Sequence, residues 1–322
     1  MEIRADKILV IGANGQLGSE LTGALRQAYG TDNVVASDVH PPKENGEAGL
    51  FEQLDVLNPS RLGAILDQHR ITQVYLLAAM LSATGEQHPK RAWDLNVNGL
   101  LHVLDAAVEK KLAKVYWPSS IAVFGPRTPD HATPQHTVTD PGTVYGISKL
   151  AGERWCEYYF RKHGVDVRSL RYPGLIGYQA RPGGGTTDYA VDIYHKAAEG
   201  VPFECFLTAD TCLPMLYMPD ALRATLELMG ADADRVKVRS GYNLAGNSLA
   251  PRDFAQSIRK FVPDFRITYR PDFRQQIADS WPKSIDDAAA RQDWGWQPAF
   301  SLDQMTEGML TNLKRQKEKV EI

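Results

Sequence analysis

The chain has 322 residues, 43% of them hydrophobic and 23% charged, with a formal net charge of -3; that supplies ample material for a core and lacks the basic excess by which nucleic acid is bound. Cys156, Cys205 and Cys212 are odd in number and lack metal-ligand spacing, which argues against a disulfide framework and for a reducing compartment. No apolar run approaches the ~20 residues that span a bilayer, and Met1 to Lys7 leads into a strand without a signal peptide, so a cytoplasmic protein is expected, with no membrane and no nucleic acid as partner.

Lys7 to Ile11 is a short apolar run suited to a strand buried on both faces. Gly12-Ala-Asn14-Gly15-Gln16-Leu17-Gly18 follows at once. Glycines so spaced allow a tight turn, backbone approach to a pyrophosphate and close packing of the next helix, whose N-terminus faces the phosphates. Ser19 to Tyr29 reads as that helix and Val34 to Asp38 as the second strand, ending 20 residues after Gly18. A carboxylate there accepts from both ribose hydroxyls of an adenosine and repels a 2′-phosphate, which favours NAD over NADP.

Gln53-Leu-Asp55-Val56 is expected to close a third strand, with Asp55 towards the adenine amino group and Val56 against the ring. Val74 to Ala79 is a fourth, whose Leu77, Ala78 and Ala79 let a cofactor lie against the backbone. Met80 to Gly85 reads as a loop, where Ser82 either meets a substrate or caps a turn. Apolar residues recur at helical spacing from Ala92 to Val108, and Lys114 to Ser120 is the fifth strand, with the Ser119 and Ser120 hydroxyls at its ligand-binding carboxyl end.

Tyr145 and Lys149 then stand four residues apart on a helix predicted to run to about His163, so they share a face. An ammonium beside a phenol favours the phenolate, the pattern of a proton-transfer pair. Asp166 to Pro173 is a sixth strand, and Gly177 to Gly185 a polar loop. Thr186, Thr187 and Asp188 open the helix Tyr189 to Glu199, either as a plain N-cap or as a site where amides face a carboxylate and Asp188 an ammonium. Leu216 to Asp220 precedes a further helix, Gly241 to Gly246 reads as an added edge strand, and Trp281 either walls the site or joins the core. The last residues, Lys314 to Lys319, read as a solvated helix end. The expected fold is α/β: a doubly wound parallel sheet of the Rossmann kind over residues 1–173, with 216–246 returning to it, and a smaller C-terminal substrate-binding lobe from 174–215 and 247–322.

Gly12, Gly15 and Gly18, Asp38, Ser119-Ser120 and Tyr145-x-x-x-Lys149 together have the order and spacing of the extended short-chain dehydrogenase/reductase superfamily, which the whole chain resembles. Trp117-Pro-Ser-Ser-Ile-Ala-Val-Phe-Gly-Pro126, Thr143-Val-Tyr-Gly-Ile-Ser-Lys149, Arg171-Tyr-Pro-Gly-Leu-Ile-Gly177 with Gly183 to Val191, and Ser280 to Asp287 look like the short-chain-type L-threonine 3-dehydrogenases. The resemblance implies NAD-dependent oxidation of the L-threonine 3-hydroxyl to 2-amino-3-oxobutyrate without a metal. Tyr145 is then the base, Lys149 its ammonium partner, and Ser120 the hydroxyl on the reacting oxygen, with Ser119 an open alternative. Expected cofactor contacts are Gly12, Asn14, Gly15, Gln16, Leu17, Gly18, Asp38, Asp55, Val56, Leu77, Ala78, Ala79, Asn96, Tyr145, Lys149 and Tyr172. Expected substrate contacts are Ser82, Ser120, Tyr145, Gly184, Thr186, Thr187, Asp188 and Trp281.

The resemblance also implies a homodimer through the helix near Ala92 and the one holding Tyr145, with Leu100, Leu104, Trp155 and Tyr159 offering apolar surface or else filling the chain's own core. The rival readings are a nucleotide-sugar epimerase or dehydratase, which would want a basic pocket, and a non-catalytic NAD-sensing protein, which would have no need of Tyr145 and Lys149.

Overall fold

Strand β1 (Ile8–Ile11) is buried along its whole length, and its alternating side chains feed two different cores. The computed structural model describes residues 6–42, 49–181 and 183–320; most of the expected entry from Met1 to Lys7 lies outside them, as does the side chain of Lys319 in the expected helix end. Beside β1 run β2 (Val34–Asp38), β3 (Phe51–Gln53), β4 (Gln73–Leu76), β5 (Lys114–Tyr116), β6 (Ser119–Ser120), β7 (Val167–Arg168) and β8 (Leu170–Tyr172). The main sheet has six strands in the order β3-β2-β1-β4-β5-β7, every pair parallel.

The helices in this half are α1 (Gln16–Tyr29), α2 (Pro59–Gln68), α3 (Ser82–Gln87), α4 (Pro89–Trp93), α5 (Gly99–Lys110) and α6 (Val144–His163). Ile8 and Val10 pack with Leu21 and Leu25 of α1 on one face of the sheet. Leu9 and Ile11 pack on the other with Leu62 and Ile65 of α2 and with Leu100 and Leu104 of α5. Leu100, Leu104 and Tyr159 therefore fill the chain's own core, whereas Trp155 stays exposed.

The second half supplies β9 (Gly174–Ile176), α7 (Tyr189–Glu199), β10 (Phe203–Cys205), β11 (Leu213–Tyr217), α8 (Met218–Gly230), β12 (Tyr242–Asn243), β13 (Asn247–Leu249), α9 (Pro251–Arg259), β14 (Ile267–Tyr269), α10 (Arg274–Asp279), α11 (Ala288–Trp294) and α12 (Leu302–Val320). α8 packs back on the α1 face of the main sheet. A third core joins α7, α9 and α12 to the turn Ile121–Val123 beneath the site.

Several local expectations are corrected. The third strand stops at Gln53, because the Asp55 carboxylate turns the chain by accepting from Leu57 N at 2.9 Å and Asn58 then caps α2. The segment expected as a loop at Met80 to Gly85 contains the start of α3 at Ser82. The helix expected from Ala92 is interrupted by a π turn, Asp94–Asn98, between α4 and α5. The fifth and sixth strands each break: Pro118, with no N–H, lies between β5 and β6, and Ser169 between β7 and β8. Of the expected edge strand only Tyr242 and Asn243 pair, parallel to β8, in a small sheet ordered β12-β8-β6.

Candidate active site

Three glycines shape the cradle at the end of β1. Gly12 has φ +89°, and a Cβ on it would sit 2.6 Å from Ala78 N; one on Gly18 would sit 2.1 Å from the Gly12 carbonyl. Those two positions require glycine because turn, strand and helix touch there. Gly15 is the N-cap of α1 and no side chain caps that end, so the leading amides are free for an anion, and the helix dipole favours one. At the end of β2, Asp38 accepts from Asn14 N at 3.1 Å and His40 N at 3.2 Å, which fixes its carboxylate beside the glycine turn. These features fit a dinucleotide: a backbone cradle for its diphosphate and an acid for its ribose.

Tyr145, Lys149 and Ser120 meet below that cradle. Thr143 caps α6 by accepting from Gly146 N at 3.0 Å. A Cβ on Gly146 would lie 2.1 Å from the Ala122 carbonyl, so helix and turn approach as only glycine allows, bringing Tyr145 to Ser120. Burial pushes the Tyr145 phenol up to about 12, and hydrogen bonding to the Ser120 hydroxyl pulls it back down. Lys149 is almost wholly buried; its ammonium donates to the Pro118 carbonyl at 2.6 Å and lies 4.4 Å from the centroid of Trp117. Burial lowers it to about 7, opposed by the nearby Glu153 carboxylate. The two serines part company: Ser119 is buried and donates to Glu153 Oε1 at 2.7 Å, while Ser120 accepts from Ala122 N and faces the phenol.

A cavity of about 620 Å³ runs from these groups to the segment 183–188. Its lining includes Gly12, Asn14, Gly15, Gln16, Leu17, Gly18, Leu77, Ala79, Ser82, Ser119, Ser120, Tyr145, Lys149, Tyr172, Thr186, Thr187, Asp188 and Trp281. Ser82 and Thr186 are tied to each other, hydroxyl to hydroxyl at 3.0 Å and Thr186 N to Ser82 at 3.2 Å. The Thr186–Asp188 segment is arranged otherwise than a free anion cup, since the amides of Gly184 and Gly185 donate to Asp188 Oδ2 at 2.8 and 2.7 Å. Burial raises the Asp188 carboxyl and those two amides hold it down.

Asp38, Asp55, Val56, Ala78, Asn96 and Gly184 lie outside this lining. Asp55 is exposed, Val56 is buried, and Ala78 N donates to Ile11 O at 3.0 Å. Asn96, inside the π turn, clamps both backbone groups of Met80, at 2.8 and 3.1 Å, and donates to Ser148 at 3.0 Å. Tyr172 borders the cavity, but its hydroxyl bonds with Tyr116 and Thr225 in the core. Among the lining residues that the expected substrate contacts omit is Arg181, whose exposed side chain pairs with Glu199 at 3.4 Å; its signal was a lone arginine in the Gly-rich loop. Among the described residues no group of three His, Cys, Asp or Glu is placed to hold a metal, and no helix is long and apolar enough to cross a membrane.

Comparison with known proteins gives concordant results. The model of the NAD dependent epimerase/dehydratase family matches residues 8–245. An uncharacterized epimerase/dehydratase of Staphylococcus saprophyticus is 46% identical over 319 residues, covering 98% of this chain and 99% of its own. The holo structure of a GalE-like L-threonine dehydrogenase from Cupriavidus necator is similar at 56% identity and a TM-score of 0.93, covering 96% of this chain and 100% of that one. A monomeric L-threonine 3-dehydrogenase of metagenomic source, in apo form, is 49% identical with a TM-score of 0.93, covering 96% and 99%.

Proposed function

This chain belongs to the NAD dependent epimerase/dehydratase family, and from that premise we propose that it is an NAD-dependent L-threonine 3-dehydrogenase, oxidising the 3-hydroxyl to 2-amino-3-oxobutyrate. The observation that carries the reading is one small cavity in which the Tyr145–Ser120–Lys149 group meets both signs of charge, Arg181 and Asp188, and the hydroxyl pair Ser82 and Thr186. That set suits an amino-acid zwitterion bearing a hydroxyl.

NAD is the cofactor: Gly12 to Gly18 hold its diphosphate, Asp38 its adenosine ribose and Lys149 its nicotinamide ribose, and when bound it supplies the acceptor for the hydride from C3. The chain's own groups manage the proton and the orientation. Tyr145 takes the hydroxyl proton, Ser120 donates to the reacting oxygen, and Lys149 as ammonium stabilises the phenolate. Arg181 pairs with the substrate carboxylate, and Asp188 Oδ1 takes the ammonium while Oδ2 stays on the Gly184 and Gly185 amides. Trp281, 7% exposed, walls off water.

We assign residues 1–173 and 216–246 to cofactor binding, and 174–215 and 247–322 to substrate binding. The protein acts in threonine catabolism in the cytoplasm, as a homodimer. A nucleotide-sugar substrate would need basic groups for a second diphosphate, and among the described residues Arg181 is the single arginine on this cavity.

The test is NAD reduction by the full chain with L-threonine, with UDP-glucose and with no substrate. Threonine-dependent NADH alone is expected. Folded, NAD-binding protein that makes none would overturn the reading, and conversion of UDP-glucose without net NADH, read by product analysis because the hydride returns to the sugar, would favour the epimerase scaffold's other chemistry.

A further inference from the structure

Three contacts join α6 to the strand end that carries Ser120. Tyr145 and Ser120 face each other at the first. One turn along, Lys149 donates to the Pro118 carbonyl at 2.6 Å. A further turn along, Glu153 accepts from the Ser119 hydroxyl at 2.7 Å. Positions i, i+4 and i+8 share a helix face, so Tyr145, Lys149 and Glu153 are successive rungs between the same two elements.

The third rung is buried and clamped. Arg171 donates to Glu153 through Nε at 2.7 Å and Nη2 at 2.8 Å, and its Nη1 reaches the Gln135 carbonyl at 3.0 Å and Asn243 Oδ1 at 3.1 Å. A two-point guanidinium–carboxylate pair of this kind is geometrically strict. The strand it braces is the edge of its small sheet, paired on one side only with β8, Ser119 beside Arg171 and Ser120 beside Tyr172. β6 is two residues long, follows a proline that offers no N–H, and runs into a 3-10 turn capped by Ser120 itself. Successive strand side chains point to opposite faces, so holding Ser119 inward is what turns Ser120 outward. A rotation that freed Ser119 would swing the Ser120 hydroxyl off the phenol.

We propose that Glu153 is a positioning residue for the proton transfer: clamped by Arg171, it pins Ser119 and thereby sets the Ser120 hydroxyl against Tyr145. The proposal rests on the Tyr145–Ser120 chemistry stated above, and its test is built to separate the two. Ser119→Ala, Glu153→Gln, the double variant and Tyr145→Phe are compared in the full chain with NAD and L-threonine.

Ser119→Ala removes the rung and leaves the Glu153–Arg171 pair intact, so it decides the matter even should Glu153→Gln fail to fold. It is expected to lower kcat roughly tenfold, the scale of one charge-assisted hydrogen bond, with threonine KM and NAD Kd within about twofold of wild type. Glu153→Gln is expected to lose at least as much, and adding Ser119→Ala to it to cost less than about twofold more, since both cut one rung. Wild-type kcat in Ser119→Ala, or losses that multiply in the double variant, would overturn the proposal. So would a lowered Tm with kcat per folded molecule unchanged. An active Tyr145→Phe would instead remove the chemistry on which the proposal stands, whatever the Ser119 variant does.

Discussion

Tyr145 and Lys149 are driven apart in acidity: burial pushes the phenol up to about 12 and the ammonium down to about 7. Burial thus disfavours both charged forms, so the phenolate–ammonium pair used in proton abstraction depends on what each charge gains from the other and from the Ser120 hydroxyl. Removing the phenol oxygen should therefore erase the chemistry while sparing cofactor binding. Tyr145→Phe is expected to lower kcat by about 10²–10⁴ with the Kd for NAD within about twofold, checked by steady-state kinetics and by titration of NAD. At Asp38 the logic is electrostatic, since its carboxylate stands at the end of β2 beside the glycine turn. Asp38→Asn should raise kcat/KM with NADP relative to NAD by at least about tenfold, and an unchanged ratio would place the ribose elsewhere. How far these residues were legible differs for a physical reason. Tyr145, Lys149 and the glycines carry their chemistry in local spacing, whereas the parting of Ser119 from Ser120 depends on Glu153, 34 residues away, and no local pattern marks it.

At the scale of elements, the glycine turn and α6 could be read because each obeys a short-range rule, a tight turn needing glycine or a helix ended by Gly164 in the left-handed region. The breaks could not. Ser169 divides a strand only because β12 bonds to its carbonyl, and the π turn at Asp94–Asn98 sits where Asn96 clamps Met80, both tertiary causes. α1 carries another such feature. One turn on from Gln16, its Glu20 is buried with Oε1 close to Gly177 and without a hydrogen-bond partner among the described residues, and burial raises its carboxyl to about 7 against an opposing backbone bond from Gln179. A carboxyl raised on folding favours the native state fully below its unfolded pKa of about 4.5, and that advantage is lost as pH rises through about 7. Glu20→Gln should consequently gain on wild type as pH rises, by up to about 3 kcal/mol between pH 5 and pH 8. Thermal unfolding without cofactor at the two pH values checks this: equal Tm differences at both would show that Glu20 stays ionised in the fold.

Taken whole, the molecule leaves one face unexplained by its own packing. Leu100, Leu104 and Tyr159 are spent on the core, yet Trp93 on α4 and Ile147, Trp155 and Tyr158 on α6 remain exposed. Trp155 and Tyr158 stack edge to face with centroids 5.7 Å apart, and Ile147 lies eight residues before Trp155, so α6 presents a continuous apolar stripe on the side opposite Lys149 and Glu153. Exposed aromatics grouped this way suit an association surface. The proposed homodimer assigns that stripe to a second α6, and the assignment matters for catalysis because α6 carries all three rungs to β6. Sedimentation equilibrium at micromolar concentration should give twice the chain mass. Trp155→Glu together with Tyr158→Glu, both on the outer face, should give the single-chain mass and a lower Tm, with kcat reduced through loosening of α6 and not through loss of any contact in the cavity. One structural relative is a monomeric enzyme, so a wild-type chain that sediments as one copy with full turnover would show that α6 is held in place from within, by the Glu153–Arg171 clamp and the core behind it.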